Sequence, residues 1–193
     1  MAPAREGRRT SHSSPSQAGG LPCPRGATTK QRQGEHDGCS VEPLRHPVAG
    51  KSLKHIVAAG KVAADSTLPP VTRELVLLRA SQINGCAVCV NMHSKDAAHA
   101  GETSTRLNLV AAWREATVFT EAERAALELA EQGTRIADAA GGVSDEVWAN
   151  AAKHYDEDQL AALVSLIALI NAVNRVNVIT RQPAGDYQPG QHG

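Results

Sequence analysis

From Pro47 onward, apolar residues recur every three or four positions, the spacing of amphipathic helices rather than strands. "VAGKSLKHIVAAGKVAADS" places Leu53, Ile56, Val57 and Ala64 at helical spacing. "PPVTRELVLLRASQIN" begins at a proline pair, a favoured helix entrance, and carries Leu75, Leu78 and Ile83 on one side. Asn84-Gly85 then breaks the pattern. The next helix is expected from Cys86 to Ala100, stopped by Gly101 in the position just past a helix end. "TSTRLNLVAAWREA" predicts another amphipathic helix. "FTEAERAALELAEQ" opens on the capping-box pair Thr120 and Glu123 and continues with Ala126, Leu127 and Ala130 as its stripe. Ser144 is a natural N-cap for "SDEVWANAAKHY". The longest segment, "DEDQLAALVSLIALINAVNRVNVIT", is apolar on nearly every side from Leu160 to Ile170, as suits a core or a subunit interface. The pattern predicts an all-α domain of about six or seven helices, spanning residues 47–182.

Residues 1–46 break with this pattern. They are rich in proline and polar residues and show no period, so they are expected to be a disordered extension. Residues 183–193, rich in proline and glycine, are expected to be a flexible tail. With Ala and Leu abundant and only five aromatic residues, composition also favours helices over strands.

Charge narrows the function. The chain is neutral overall, with +3 on residues 1–46 and −3 on 47–193, which does not suggest a nucleic-acid partner. The apolar runs are interrupted by charges or amides, so no membrane span is expected. Neither is a secretory signal, since the N-terminus lacks an apolar core. Cytoplasmic localisation follows as the default. In a reducing compartment a CxxC pair serves catalysis or metal binding more often than permanent cross-linking.

The pair in question is Cys86 and Cys89, within "ASQINGCAVCVNMHSKDAAHAG". At about 100° per residue, Cys86, Cys89 and His93 share one helix face. Cys86 falls in the first turn, where free N–H groups and the helix dipole stabilise a thiolate. His93 lies one turn beyond Cys89, close enough to exchange its proton. The carboxylate to orient that histidine is expected from the preceding helix, folded back by the Asn84-Gly85 turn, with Glu74 as the candidate. Zinc is the competing reading; Cys86, Cys89 and His93 give three ligands, with Glu74 as a conceivable fourth. Arg79, Ser81, Gln82 and Asn84 are assigned to helix-end bonding rather than to a pocket. Asn171, Asn174 and Asn177, spaced three apart, can reach a neighbouring helix end or the site. Cys23 and Cys39 have no assigned role.

The stretch "TRELVLLRASQINGCAVCVNMHSKDAAHAGE", with the later "LVAAWRE" and "INAVNRVNV", resembles the AhpD-like alkylhydroperoxidases of the carboxymuconolactone decarboxylase superfamily. Their Glu, eleven residues, Cys-x-x-Cys, three residues, His pattern falls on Glu74, Cys86, Cys89 and His93. The resemblance implies an AhpD-like helical fold, a homo-oligomer (trimer or hexamer) and thiol-dependent reduction of hydroperoxides without haem, flavin or metal. The implied partners are a hydroperoxide and a dithiol reductant, either a lipoylated protein or a small thiol. Val88 stands where some members carry a second histidine. Cys89, beside His93, is the expected peroxidatic thiol, and Cys86 at the helix start is the alternative. A protein thiol–disulfide oxidoreductase, a redox sensor and a decarboxylase are the rival functions.

Overall fold

A computed structural model describes residues 46–139 and 141–191; the expected disordered extension, with Cys23 and Cys39, lies outside the described residues apart from His46. The described residues form seven α-helices and one 3-10 turn, with no strand among them, as the periodicity requires. The helices are α1 (Pro47–Ala64), α2 (Pro70–Ile83), α3 (Ala87–His99), α4 (Ser104–Leu109), α5 (Glu121–Thr134), α6 (Asp145–Ala151) and α7 (Glu157–Ile179).

The helix starts are chemically explicit. Thr120 and Glu123 form the capping box of α5, and Asp156 and Gln159 form a second one on α7. Ser144 accepts the Val147 N–H to start α6. The end of α2 positions the site. Gly85 adopts a left-handed backbone (φ 65°), and the Cys86 N–H bonds back to the Ser81 carbonyl at 3.0 Å. This closes α2 as a Schellman cap and reverses the chain into α3.

α2 and α7 are the inner helices. α2 packs against α3, α5 and α7, and α7 packs against α1, α2 and α5. Leu160, Leu163, Leu166, Ile167 and Ile170 of α7 are buried among Val76, Leu77 and Ala80 of α2 and Ala126, Leu129 and Ala130 of α5. Truncating one of these, such as Leu163, to alanine costs about 2–5 kcal/mol. By length and composition α7 could cross a membrane; here one side of it packs the interior of a helical domain. A second cluster gathers Leu75, Leu78, Val110, Trp113, Phe119 and Leu127.

Three expectations change. The helix expected across "TSTRLNLVAAWREA" stops at Leu109 and tightens into the 3-10 turn Val110–Ala112. Beyond that turn, the Arg124 guanidinium donates to the carbonyls of Trp113, Arg114 and Ala116, each at 2.9 Å, and satisfies them without further helix N–H groups. α1 buries Ala63 but leaves Val48, Val57 and Val62 exposed, so its apolar side is only partly used within this chain. The C-terminal segment, expected as a flexible tail, packs back on α3. The Lys95 ammonium donates to the carbonyls of Gly185 and Tyr187, and the Tyr187 hydroxyl donates to Asp96 at 2.7 Å.

Candidate functional site

The α2–α3 reversal carries Glu74, Cys86, Cys89 and His93 into one region. Cys86 itself is the N-cap of α3, with extended backbone, and the helix begins one residue later than its expected start. Both cysteines are free thiols and fully buried. His93, one turn beyond Cys89, is 7% exposed. Its Nδ1 lies 3.0 Å from Glu74 Oε2. Burial alone would raise the Glu74 pKa, but the hydrogen bond and charge of His93, helped by Arg73 at 3.2 Å, outweigh it and hold Glu74 below the usual carboxylate range. An ionised Glu74 accepts, so Nδ1 of His93 donates; in the neutral form of the ring the lone pair then lies on Nε2. That Nε2 is buried and has no hydrogen-bond partner among the described residues. The ring is held in place through Nδ1, and its other nitrogen is open.

The two thiols are unequal. The Cys89 S–H directed at Cys86 favours the Cys86 thiolate; burial opposes this, and the Cys89 backbone N–H and the Asn177 and Asn174 amides assist it. Together they bring the Cys86 pKa down from 9.0 to about 6. Donating that hydrogen, together with burial and the neighbouring negative charge, pushes the Cys89 thiol well up. The charge therefore rests on Cys86, the alternative left open by the sequence, because the Cys89 S–H and the Cys89 backbone N–H both donate to it. Access agrees: Cys86 lines a small cavity of about 180 Å³ with Val88, Asn177, Arg181 and Gln182, at the C-terminal end of α7.

A network of amides stands behind the sulfurs. Asn177 donates to Cys89 Sγ at 3.4 Å. Asn174 donates to the Ser81 hydroxyl at 3.2 Å, and Ser81 donates to the Leu77 carbonyl at 2.7 Å. Asn84 donates to the side-chain oxygens of both Asn171 and Asn174 at 2.9 Å. The three-residue spacing of Asn171, Asn174 and Asn177 is thus used at the site; their sequence signal was a polar stripe on an otherwise apolar helix. Asn84 and Ser81 belong to the same network, whereas Arg79 points away and pairs with Glu131 at 2.8 Å. Arg181, Gln182 and Tyr187 carry no motif and were missed. Tyr187 lines a cavity of about 350 Å³ that also touches Glu74 and His93 and shares no lining residue with the Cys86 cavity. Among the described residues, no three His, Cys, Asp or Glu side chains are arranged to hold a metal ion.

Residues 53–132 match the model of the carboxymuconolactone decarboxylase family. Over 119 residues the chain is 39% identical to the uncharacterized protein YdfG of Bacillus subtilis (strain 168), covering 62% of this chain and 80% of that one. A protein of unknown function from Agrobacterium tumefaciens, proposed to be the antioxidant defence protein AhpD, superposes with a TM-score of 0.71 at 31% identity, over 78% of this chain and 100% of that one. The debrominase Bmp8 shares the fold, with a TM-score of 0.63 at 18% identity over 75% of each chain. The chain belongs to the carboxymuconolactone decarboxylase family and has its AhpD-like helical fold.

Proposed function

We propose that this chain is a thiol-dependent peroxidase that reduces hydrogen peroxide or organic hydroperoxides through a Cys86–Cys89 dithiol–disulfide cycle. The observation that carries this is geometric: Cys86 and Cys89 are free, buried thiols at the start of α3, and one turn further along the same helix His93 is held by Glu74 with its Nε2 open.

Cys86 attacks the terminal peroxide oxygen. The O–O bond breaks, the leaving alkoxide or hydroxide takes a proton, and Cys86 becomes a sulfenic acid. Cys89 then gives its proton to His93 Nε2, through a water or a side-chain rotation, and its sulfur attacks Cys86 Sγ. A disulfide forms and water leaves. Glu74 holds the imidazole and stabilises it when charged. Two thiols are oxidised for each peroxide reduced to alcohol and water. A dithiol, a small thiol or a lipoyl group on a protein, restores the pair. Cytoplasmic conditions, which keep thiols reduced, suit such a cycle. The small cavity beside a buried thiol favours small substrates over protein disulfides. The exposed Val48, Val57 and Val62 of α1 and Val164, Val178 and Ile179 of α7 support a homo-oligomer, a trimer or hexamer, measurable by sedimentation equilibrium.

The test is peroxide-dependent oxidation of a dithiol by the purified chain, with sulfenic-acid trapping in the Cys89→Ser variant. Turnover, with the trapped adduct on Cys86, supports the reading. No turnover with any dithiol removes it. An adduct that forms only on Cys89, in the Cys86→Ser variant, would return the attacking role to Cys89.

A further inference from the structure

Three helices of this domain end in the same way. After α2, Gly85 is left-handed and the Cys86 N–H bonds to the Ser81 carbonyl. After α3, Gly101 is left-handed and the Glu102 N–H bonds to the Ala97 carbonyl at 3.0 Å. After α7, the Gln182 N–H bonds to the Asn177 carbonyl at 3.0 Å, but the left-handed residue is Arg181, with φ 52°. It is the one non-glycine residue with positive φ among the described residues. A side chain is disfavoured in this conformation, and glycine serves the same cap without strain.

The strained residue stands at the mouth of the thiol site. Arg181 lines the cavity of about 180 Å³ whose wall includes Cys86. It is exposed and pairs with no carboxylate among the described residues. Its cap is continuous with the chemistry: Asn177 receives the cap hydrogen bond through its carbonyl and donates through its side chain to Cys89 Sγ. The cavity is large enough for the reactive end of a dithiol, so an anionic group on the same molecule would sit outside it, where Arg181 is. A guanidinium fork matches a carboxylate with two parallel hydrogen bonds.

We infer that Arg181 is the docking residue for the carboxylate of a small dithiol that reduces the Cys86–Cys89 disulfide. This rests on the peroxidase reading. The bound donor's thiolate attacks Cys86 Sγ. The protein S–S bond breaks, its electron pair goes to Cys89, and Cys89 takes a proton from His93. The donor's second thiol, losing its proton to solvent, attacks the mixed disulfide. It forms the donor's own disulfide and releases Cys86 as thiolate. The donor loses two electrons and the protein gains two. A lipoyl group carried on a protein is held through an amide, lacks this carboxylate and gains nothing from Arg181.

Dihydrolipoate and dihydrolipoamide differ in this one group. The full chain, oxidised beforehand to its disulfide, is mixed with each in the absence of peroxide, and appearance of protein thiols is timed. The acid should react about three to five times faster than the amide at low ionic strength, the size of a solvent-exposed ion pair. High salt should shrink the preference. It should vanish in Arg181→Gly, which accepts the left-handed backbone, and reverse in Arg181→Glu. Equal rates for acid and amide in the natural chain, or an undiminished preference in Arg181→Gly, overturn the assignment alone. A chain whose cysteines never form the disulfide overturns the peroxidase reading with it.

Discussion

Two polar groups of this domain, each centred on a partly buried carboxylate, look alike in composition and differ in completion. Around Glu131, Oε2 accepts from Trp113 Nε1 at 3.0 Å and from Arg79 at 2.8 and 3.1 Å, while Arg114 and Arg135 approach Oε1 at 3.8 and 3.5 Å. Burial would raise the Glu131 pKa, but these bonds outweigh it and keep the carboxylate ionised. At the candidate site Glu74 is also ionised and bonded, yet its partner His93 ends in an unpartnered Nε2. The first arrangement is saturated and tethers α2 to α5 and to the turn before α5. The second spends half its bonding capacity on orientation and leaves the other half for a reactant. Buried polar atoms are normally satisfied, so an aimed but open one marks chemistry rather than cohesion.

Substitutions can break this distinction, and the thiols should give the largest effect. Cys86→Ser and Cys89→Ser should each abolish peroxide turnover, a drop of more than about 1000-fold, because no disulfide can then form. Circular dichroism should remain helical, since serine is an acceptable N-cap at position 86. Loss of helicity in Cys86→Ser would instead place the thiol among the structural residues.

His93→Gln should slow turnover by roughly 100-fold or more, the usual worth of a positioned acid–base group. Glu74→Gln should slow it less, about tenfold, because the imidazole keeps a hydrogen bond but loses its countercharge. Thermal melts of both should stay close to that of the natural chain. A large fall in stability with unchanged turnover would reverse the roles of the two polar groups.

The saturated group predicts the opposite signature. Trp113→Phe keeps most of the buried ring and deletes the N–H that Glu131 accepts, so unfolding free energy should fall by about 1–3 kcal/mol. The rate at which Cys86 is alkylated should not change.

The smallest effects concern pH. Alkylation of Cys86 should follow a single ionisation near pH 6. Asn177→Leu should move that inflection upward by about half to one unit, the worth of roughly one hydrogen bond. Stability should follow the same proton. The folded Cys86 pKa is about 6 and the ordinary value is 9.0, so between these values the unfolded chain holds the extra proton. The reduced protein therefore gains stability as pH rises through this window and loses it as pH falls back through 6. Above pH 9 the trend should reverse, because Cys89 stays protonated in the folded chain and not in the unfolded one. Chemical denaturation across pH 5–10, compared with Cys86→Ser, would read both slopes.

Local rules carried much of this domain. Helical periodicity, the Thr120–Glu123 capping box and Gly85 are properties of neighbouring residues, and the helices they imply are present. The spacing from Glu74 to His93 likewise encoded a contact, because a helix, a glycine reversal and a second helix return two side chains to a fixed separation; the 3.0 Å pair follows. What the tertiary structure alone decided involves groups distant in the chain. Arg124 reached back to the carbonyls around Trp113 and satisfied them from the next helix. Asn177, 88 residues from Cys89, arrived behind its sulfur because α7 packs beside α2 and α3. Which cysteine holds the charge depends on such groups too. A thiol's ionisation depends on every donor that converges on it and on the water excluded from it, and neither is written in the spacing of two cysteines.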